Sequence, residues 1–254
     1  MEVPKLTHQI WFQGWDQLPV EYLGYTESIS ILNPNWEHKK WDDTSLRAEC
    51  AKFSPEAVAK YDSYRHMVQK VDLGRYIVLY NYGGVSIDAD AECLRPLEKI
   101  PGIDRWDLLV SKSATTRLEN FLMTAGKFDD LTMLNNAMIA CAKNHPLMKQ
   151  FIEFVIQIEN DEPEDISQIL MTTGPLAHTI FFNHFIDEIC VLDSEIAEPL
   201  RAVTHRTVIN HVSSTKWVPG LTRHLLMTYK ALRPYFFTLA LVVFITLILW
   251  RVRR

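Results

Sequence analysis

The apolar and polar positions along the chain fall into alternating blocks. Residues 5–14, KLTHQIWFQG, read as a first buried strand that ends at a glycine loop. Asn33-Pro34-Asn35 marks a turn, and residues 36–41, WEHKKW, predict a second strand. Asp42-Asp43 then opens a polar helix, and Ser54-Pro55 opens another, with serine at the N-cap and proline at N1. Residues 70–82, KVDLGRYIVLYNY, give the strongest helical pattern, with a wide apolar face that stops at Gly83-Gly84. A strand, GVSIDADA, follows directly, and residues 106–111, WDLLVS, predict one more. Residues 135–141 and 145–158 read as helices separated by Lys143-Asn144. Residues 160–165 read as an acidic loop, and Gly174-Pro175 breaks the chain before a further helix. Residues 206–212, RTVINHV, close the series as a late strand. Strands alternating with helices predict an α/β fold around a mostly parallel sheet.

The end of the chain departs from this pattern. Residues 235–250, YFFTLALVVFITLILW, carry no charge, and arginines stand at 233, 251, 253 and 254. As a helix the run is roughly 24 Å long, short of a hydrocarbon core of about 30 Å. Arginines can snorkel, and Tyr235 and Trp250 sit where interfacial aromatics belong. The expectation is a domain at 1–225 and a C-terminal membrane anchor at 226–254, a single transmembrane helix. The flanking arginines favour a cytosolic tail. The lack of an apolar leader in MEVPKLTHQIWF favours a cytosolic domain, so orientation stays open.

Composition narrows the class. The 254 residues suit one large α/β domain or two small ones, and 48% hydrophobic with 11% aromatic residues suits a folded chain. The 26 basic and 31 acidic residues leave a net charge of −5, so nothing favours a nucleic-acid partner. The four cysteines are widely spaced without a CxxC, which argues against a zinc or redox pair and for free, mostly buried thiols.

The chemistry concentrates in YGGVSIDADAECLRPL, residues 82–97. Alternation puts Asp88, Asp90 and Glu92 on one face of an extended segment. Like charges so placed repel, and a divalent cation is the natural counter-charge. The acids lie at the C-terminal edge of a strand, where open α/β sheets bind ligands. Asp72 and Arg75 share a helix face just upstream. They read either as an intrahelical ion pair or as two groups aimed at the same crevice. A haloacid-dehalogenase-type phosphatase also carries Asp-x-Asp, but on its first strand and continuing to threonine, whereas Ala91-Glu92 follows here.

These residues carry a resemblance. DLGRYIVLYNYGGVSIDADAECLRPL resembles the sugar-binding region of glycosyltransferase family 32 at Asp72, Arg75, Tyr76, Leu79, Tyr80, Tyr82, Gly83, Gly84, Asp88 and Asp90. It departs at Ser86, where the family has tyrosine. KLTHQIWFQG, NPNWEHKKWDD, NAMIACAKNHP at 136–146 (the family's Asn-led helix ending in His-Pro) and TGP at 173–175 are similar to further family segments in the same order. Within the family the closest likeness is to inositol-phosphorylceramide mannosyltransferases.

The resemblance implies a GT-A fold, a nucleotide-sugar donor (GDP-mannose or a UDP-hexose), a manganese or magnesium ion, and transfer with retention of anomeric configuration. It assigns Asp90 as a direct metal ligand and gives Asp88 the ribose or donor sugar with a metal contact. His211 becomes the third metal ligand. Asp72 and Arg75 would hold donor hydroxyls and steady the departing oxygen, which makes Asp88, Asp90 and Arg75 the catalytic set. Trp11 reads either as a stacking partner for the base or as core. Asn136, Gly174 and Pro175 would shape the sugar pocket. Trp217 would join it, although it follows Lys216 where the family has serine. Glu92, His145 and His178 are expected to be structural. The acceptor is expected to be a lipid or a glycan near a bilayer, and the location a Golgi or endoplasmic-reticulum membrane if the source is eukaryotic. The alternative is an inactive nucleotide-sugar- or glycan-binding membrane protein, or an adaptor for a transferase.

Overall fold

The computed structural model describes residues 1–115, 130–159, 166–199, 202–212 and 228. Contacts divide the chain into Met1–Ser213 and Ser214–Arg254, and the account below concerns the first unit. Among the described residues no helix is long and apolar enough to cross a membrane. The expected span at 235–250, the 225/226 boundary, the acidic loop at 160–165 and Trp217 all lie outside the described residues.

A six-stranded sheet forms the centre, in the order β2 (Glu37–Trp41), β1 (Leu6–Ile10), β3 (Gly84–Ile87), β6 (Leu134–Cys141), β5 (Leu108–Lys112), β7 (Cys190–Leu192). β1 is parallel to β2 and β3, β5 is parallel to β7, and β6 runs antiparallel to both β3 and β5. Five strands therefore point one way and one is reversed. β4 (Ala91–Cys93) and β8 (Ile209–His211) form a separate antiparallel pair.

The first half of the chain follows its local chemistry. Asp42 caps α2 (Asp43–Phe53): its Oδ1 accepts from the Ser45 amide at 2.9 Å, and Ser45 Oγ accepts from the Asp42 amide at 2.8 Å. Ser54 caps α3 (Pro55–Ser63), accepting from the Ala57 amide at 3.1 Å, with Pro55 at N1. The main helix, α4 (Met67–Tyr82), begins three residues earlier than expected and is buried over most of its length. Gly83 and Gly84 stop it with φ of 69° and 99°. A Cβ on Gly84 would stand 2.4 Å from the Leu6 carbonyl oxygen, so the helix-to-strand reversal needs both glycines.

Three expectations are corrected. Residues 135–141 form strand β6, not a helix. Two alanines and a methionine favour helix locally, but here both faces of the segment are buried between β3 and β5, and tertiary pairing overrides propensity. The strand after Gly83-Gly84 stops at Ile87, and Asp88–Asp90 form a turn closed by the Ala91 amide donating to the Asp88 carbonyl at 3.1 Å. The late strand is three residues long and joins the small sheet, not the large one. Helix α1 (Val20–Leu32) has no counterpart among the expected elements. Its buried set, Tyr22, Thr26 and Ile29, is too sparse to give a strong periodic signal.

On the far side, α5 (Pro146–Gln157) packs against α4 through Phe151. His145 is its N-cap, accepting from the Leu147 amide at 3.2 Å. α6 (Ile166–Thr172) runs into α7 (Pro175–Asn183), and α8 (Ser194–Ala197) follows β7.

Two buried histidines hold this frame as neutral rings. His8 Nε2 donates to the Gly83 carbonyl at 2.7 Å and its Nδ1 accepts from the Trp41 indole at 3.0 Å, with burial lowering its pKa to about 4. His178 is fully buried among Tyr76, Phe151 and Phe182, and burial lowers it to about 3. Both folded values lie below the unfolded value of 6.5, so the unfolded chain binds more protons and stability falls as pH drops below 6.5. Between pH 7 and 5 each ring accounts for about 2 kcal/mol of that loss. A His178→Leu variant should therefore lose about 2 kcal/mol less than the parent over that interval. Urea unfolding at the two pH values measures it, and packing changes cancel in the difference.

Candidate cation and donor site

One edge of the sheet collects the chemistry. β1 and β3 are parallel, so their C-terminal ends lead to Trp11 and Asp88 on the same edge. Because β6 is reversed, its N-terminal end brings Asn135 and Asn136 to that edge too. The Asp88 amide donates to the Ala137 carbonyl at 3.0 Å, and Gln9 Nε2 donates to the Asp88 carbonyl at 3.3 Å. The turn then feeds β4, whose Ala91 lies opposite His211 in register. The Val212 amide donates to the Asp90 carbonyl at 3.1 Å, which locks the turn to the late strand.

The result is a cluster of Asp88, Asp90 and His211 whose ligand atoms all lie within 4.8 Å of one another. His211 Nε2 is 3.3 Å from Asp90 Oδ1 and 3.5 Å from Asp88 Oδ2. Two carboxylates and one imidazole form a donor set for a hard to borderline divalent cation, so the residues fit such an ion. Glu92 is not part of the cluster. The turn breaks the expected alternation, and Glu92 instead sits in the β4–β8 ladder opposite Asn210.

Arg75 reaches across from α4. Its guanidinium donates to the Asp88 carboxylate and to the Asn136 carbonyl, so the crevice reading holds over that of a simple intrahelical pair. Asp72 accepts from Asn136 Nδ2 at 3.0 Å and from Thr173 Oγ1 at 3.2 Å. Asn136 Nδ2 also reaches the Tyr76 hydroxyl at 3.0 Å, which donates to the Thr173 carbonyl at 2.7 Å. Gly174 and Pro175 act at one remove: they begin α7 and hold Thr173 over Asp72. Trp11 lies 5.4 Å from the Tyr22 ring, its indole N–H buried without a partner among the described residues.

Residues 19–107 match the family described as glycosyltransferase sugar-binding region containing a DXD motif. Over that region the chain resembles this glycosyltransferase family. It is 26% identical over 181 residues to inositol phosphoceramide mannosyltransferase 3 of Schizosaccharomyces pombe, covering 71% of this chain and 45% of that protein. It thus spans about half the length of that relative. It is also 26% identical over 238 residues to the uncharacterized glycosyltransferase L373 of Acanthamoeba polyphaga mimivirus, covering 86% and 85% of the two chains. Among solved structures the PaToxG glycosyltransferase superposes with a TM-score of 0.53 at 15% identity, over 73% of this chain and 70% of that one. That likeness concerns the fold: α/β, of the glycosyltransferase GT-A-like kind, around a mostly parallel sheet.

Electrostatics within this site follow from burial and pairing. Burial pushes Asp72 up to about 7, against the pull of Arg75. Burial also raises Asp88. His211 is pushed up to about 10: burial opposes the charge, but its bonds to Asp90 and Glu198 prevail. Glu198 falls to about 2 despite its burial, held there by His211 and by backbone and amide donors. Gln9 and Glu198 were not singled out from sequence, and Tyr76 and Thr173 stood out only within family motifs. Thr173 carried a signal within TGP, while Glu198, in a short stretch after a one-turn helix, carried none.

Arg75 and Asp88 have side-chain exposures of 6% and 24%. Removing the guanidinium takes from Asp88 its nearer charge partner and leaves it the more distant His211 in a largely dry site. Arg75→Met should destabilise the protein by about 3 kcal/mol. Asp88→Asn in the Arg75→Met background should recover part of that loss. Thermal or denaturant unfolding of the two variants checks the order.

Proposed function

We propose that this chain is a metal-dependent, retaining glycosyltransferase. It would move a hexose, with mannose favoured, from a nucleotide-sugar to a lipid or membrane-proximal acceptor. The observation that carries the reading is the convergence of Asp88, Asp90 and His211 within 4.8 Å beside Arg75 and Asp72. The sugar and acceptor rest on the relative named as an inositol phosphoceramide mannosyltransferase.

Each residue has a task in this reading. Asp90, Asp88 and His211 hold a divalent cation, manganese by preference or magnesium. When bound, the ion supplies positive charge against the donor's diphosphate. Arg75 keeps the Asp88 carboxylate aimed and adds charge where the leaving oxygen departs. Asp72, fixed by Asn136 and Thr173, accepts hydrogen bonds from donor-sugar hydroxyls. Its pKa near 7 means that part of the population carries a proton at neutral pH and can also donate. Trp11 offers a ring for the base and an indole N–H without a partner among the described residues. With retention, the leaving phosphate takes the acceptor's proton on the same face of the sugar, so no protein nucleophile is required. Residues 235–250 anchor the domain to a membrane, of the Golgi or endoplasmic reticulum in a eukaryote, which favours an acceptor at the bilayer surface.

The test is a hydrolysis and transfer screen of the purified chain with GDP-mannose against UDP-hexoses, with and without Mn2+. The expected result is Mn2+-dependent release of a nucleoside diphosphate, strongest with GDP-mannose. Asp90→Asn should lower turnover on the order of 100-fold or more while leaving unfolding unchanged. Wild-type turnover in that variant, or in chelator, would sink the metal assignment.

A further inference from the structure

Glu198 lies just after α8 and outside the family's matched region at 19–107. Its Oε2 accepts from Asn135 Nδ2 at 2.6 Å and from the Ala114 amide at 3.0 Å. Those two donors come from the start of β6 and from the segment after β5, so the carboxylate is aimed by the main sheet. Its Oε1 is thereby turned toward His211 Nδ1, at 3.7 Å. The other ring nitrogen, Nε2, faces Asp90 and Asp88 at 3.3 and 3.5 Å.

The geometry points to Glu198 as a positioning residue for the cation site, a proposal that rests on the reading of Asp88, Asp90 and His211 as metal ligands. A neutral imidazole carries one proton and one lone pair, and it must present the lone pair to a metal. A carboxylate at Nδ1 can only accept, so it stabilises the Nδ1–H form and leaves the Nε2 lone pair facing the two aspartates. It also fixes the ring plane. His211 sits on a three-residue strand in the two-stranded sheet, and Glu198 ties its ring to the rigid large sheet through Ala114 and Asn135.

Glu198→Gln separates aiming from bulk. Its amide oxygen can keep the bonds from Ala114 and Asn135, which directs the NH2 group at His211 Nδ1. That arrangement rewards the tautomer with the proton on Nε2, the wrong one for a metal. In the full chain, Mn2+ titration should show roughly 10- to 100-fold weaker binding in Glu198→Gln. Pulsed EPR of bound Mn2+ should lose the imidazole 14N coupling seen in the wild type. A purely structural Glu198 would lower the melting temperature without moving either readout. Wild-type Mn2+ affinity with the 14N coupling retained in Glu198→Gln overturns the proposal. Should that variant fail to fold, Asn135→Ala removes one of the two donors that aim the carboxylate. It should weaken Mn2+ several-fold, and unchanged affinity there overturns the proposal equally. Asp90→Asn run in parallel separates the two levels. Loss of Mn2+ binding there with none in Glu198→Gln defeats the role of Glu198 alone, whereas wild-type binding in Asp90→Asn defeats the cation site and Glu198 with it.

Discussion

A guanidinium cannot be taken out of water without its charge being met. Arg75 sits in the middle of a buried helix with a side-chain exposure of 6%, and it is met twice: by the Asp88 carboxylate and by the Asn136 carbonyl. Those partners lie in the turn after β3 and on β6, so one side chain couples α4, the end of β3 and the start of β6. Displacing any of these elements would strand a charge. The placement of the site on the fold follows from that requirement.

The reversed strand makes the arrangement possible. In a wholly parallel sheet the edge beyond Asp88 would be built of strand C-termini alone. Because β6 runs the other way between β3 and β5, its first residues come to that edge. Asn135 and Asn136 then hold different side chains. Asn136 holds Asp72 and, through its carbonyl, Arg75, while Asn135 holds Glu198. Adjacent residues of a strand point to opposite faces, so two asparagines in a row reach Asp72 on one side and Glu198 on the other.

Local chemistry made much of this readable in advance. Gly83-Gly84, the Ser54-Pro55 cap and the Asp42 capping box act within a few residues, so sequence alone places them. Asp88, Asp90, Asp72 and Arg75 were recognisable because their spacing sits inside a helix-glycine-strand frame. Residues 135–141 were misread because Ala137, Met138 and Ala140 report helix propensity, while burial on both faces is decided by β3 and β5, far away in sequence. The turn at Asp88–Asp90 replaced the expected alternation because its closing bonds involve Ala137 and Val212, which no local pattern reveals. Glu198 is invisible for the same reason. Its partners are Ala114, Asn135 and His211, none of them its neighbours in sequence.

This division has a physical logic. The carboxylates that face a ligand sit on a short turn that could relax when charge is added or removed. What opposes relaxation is the set of groups behind them: Gln9 on the Asp88 carbonyl, Val212 on the Asp90 carbonyl, and Arg75 on the Asp88 side chain. Each comes from a different element, and each would have to break before the acids could separate. Repulsion between Asp88 and Asp90 is thus resisted by the surrounding structure as well as offset by His211. A turn held from three sides keeps its acids together whether or not their charge is neutralised, so the cluster is organised by the fold in advance of any ligand.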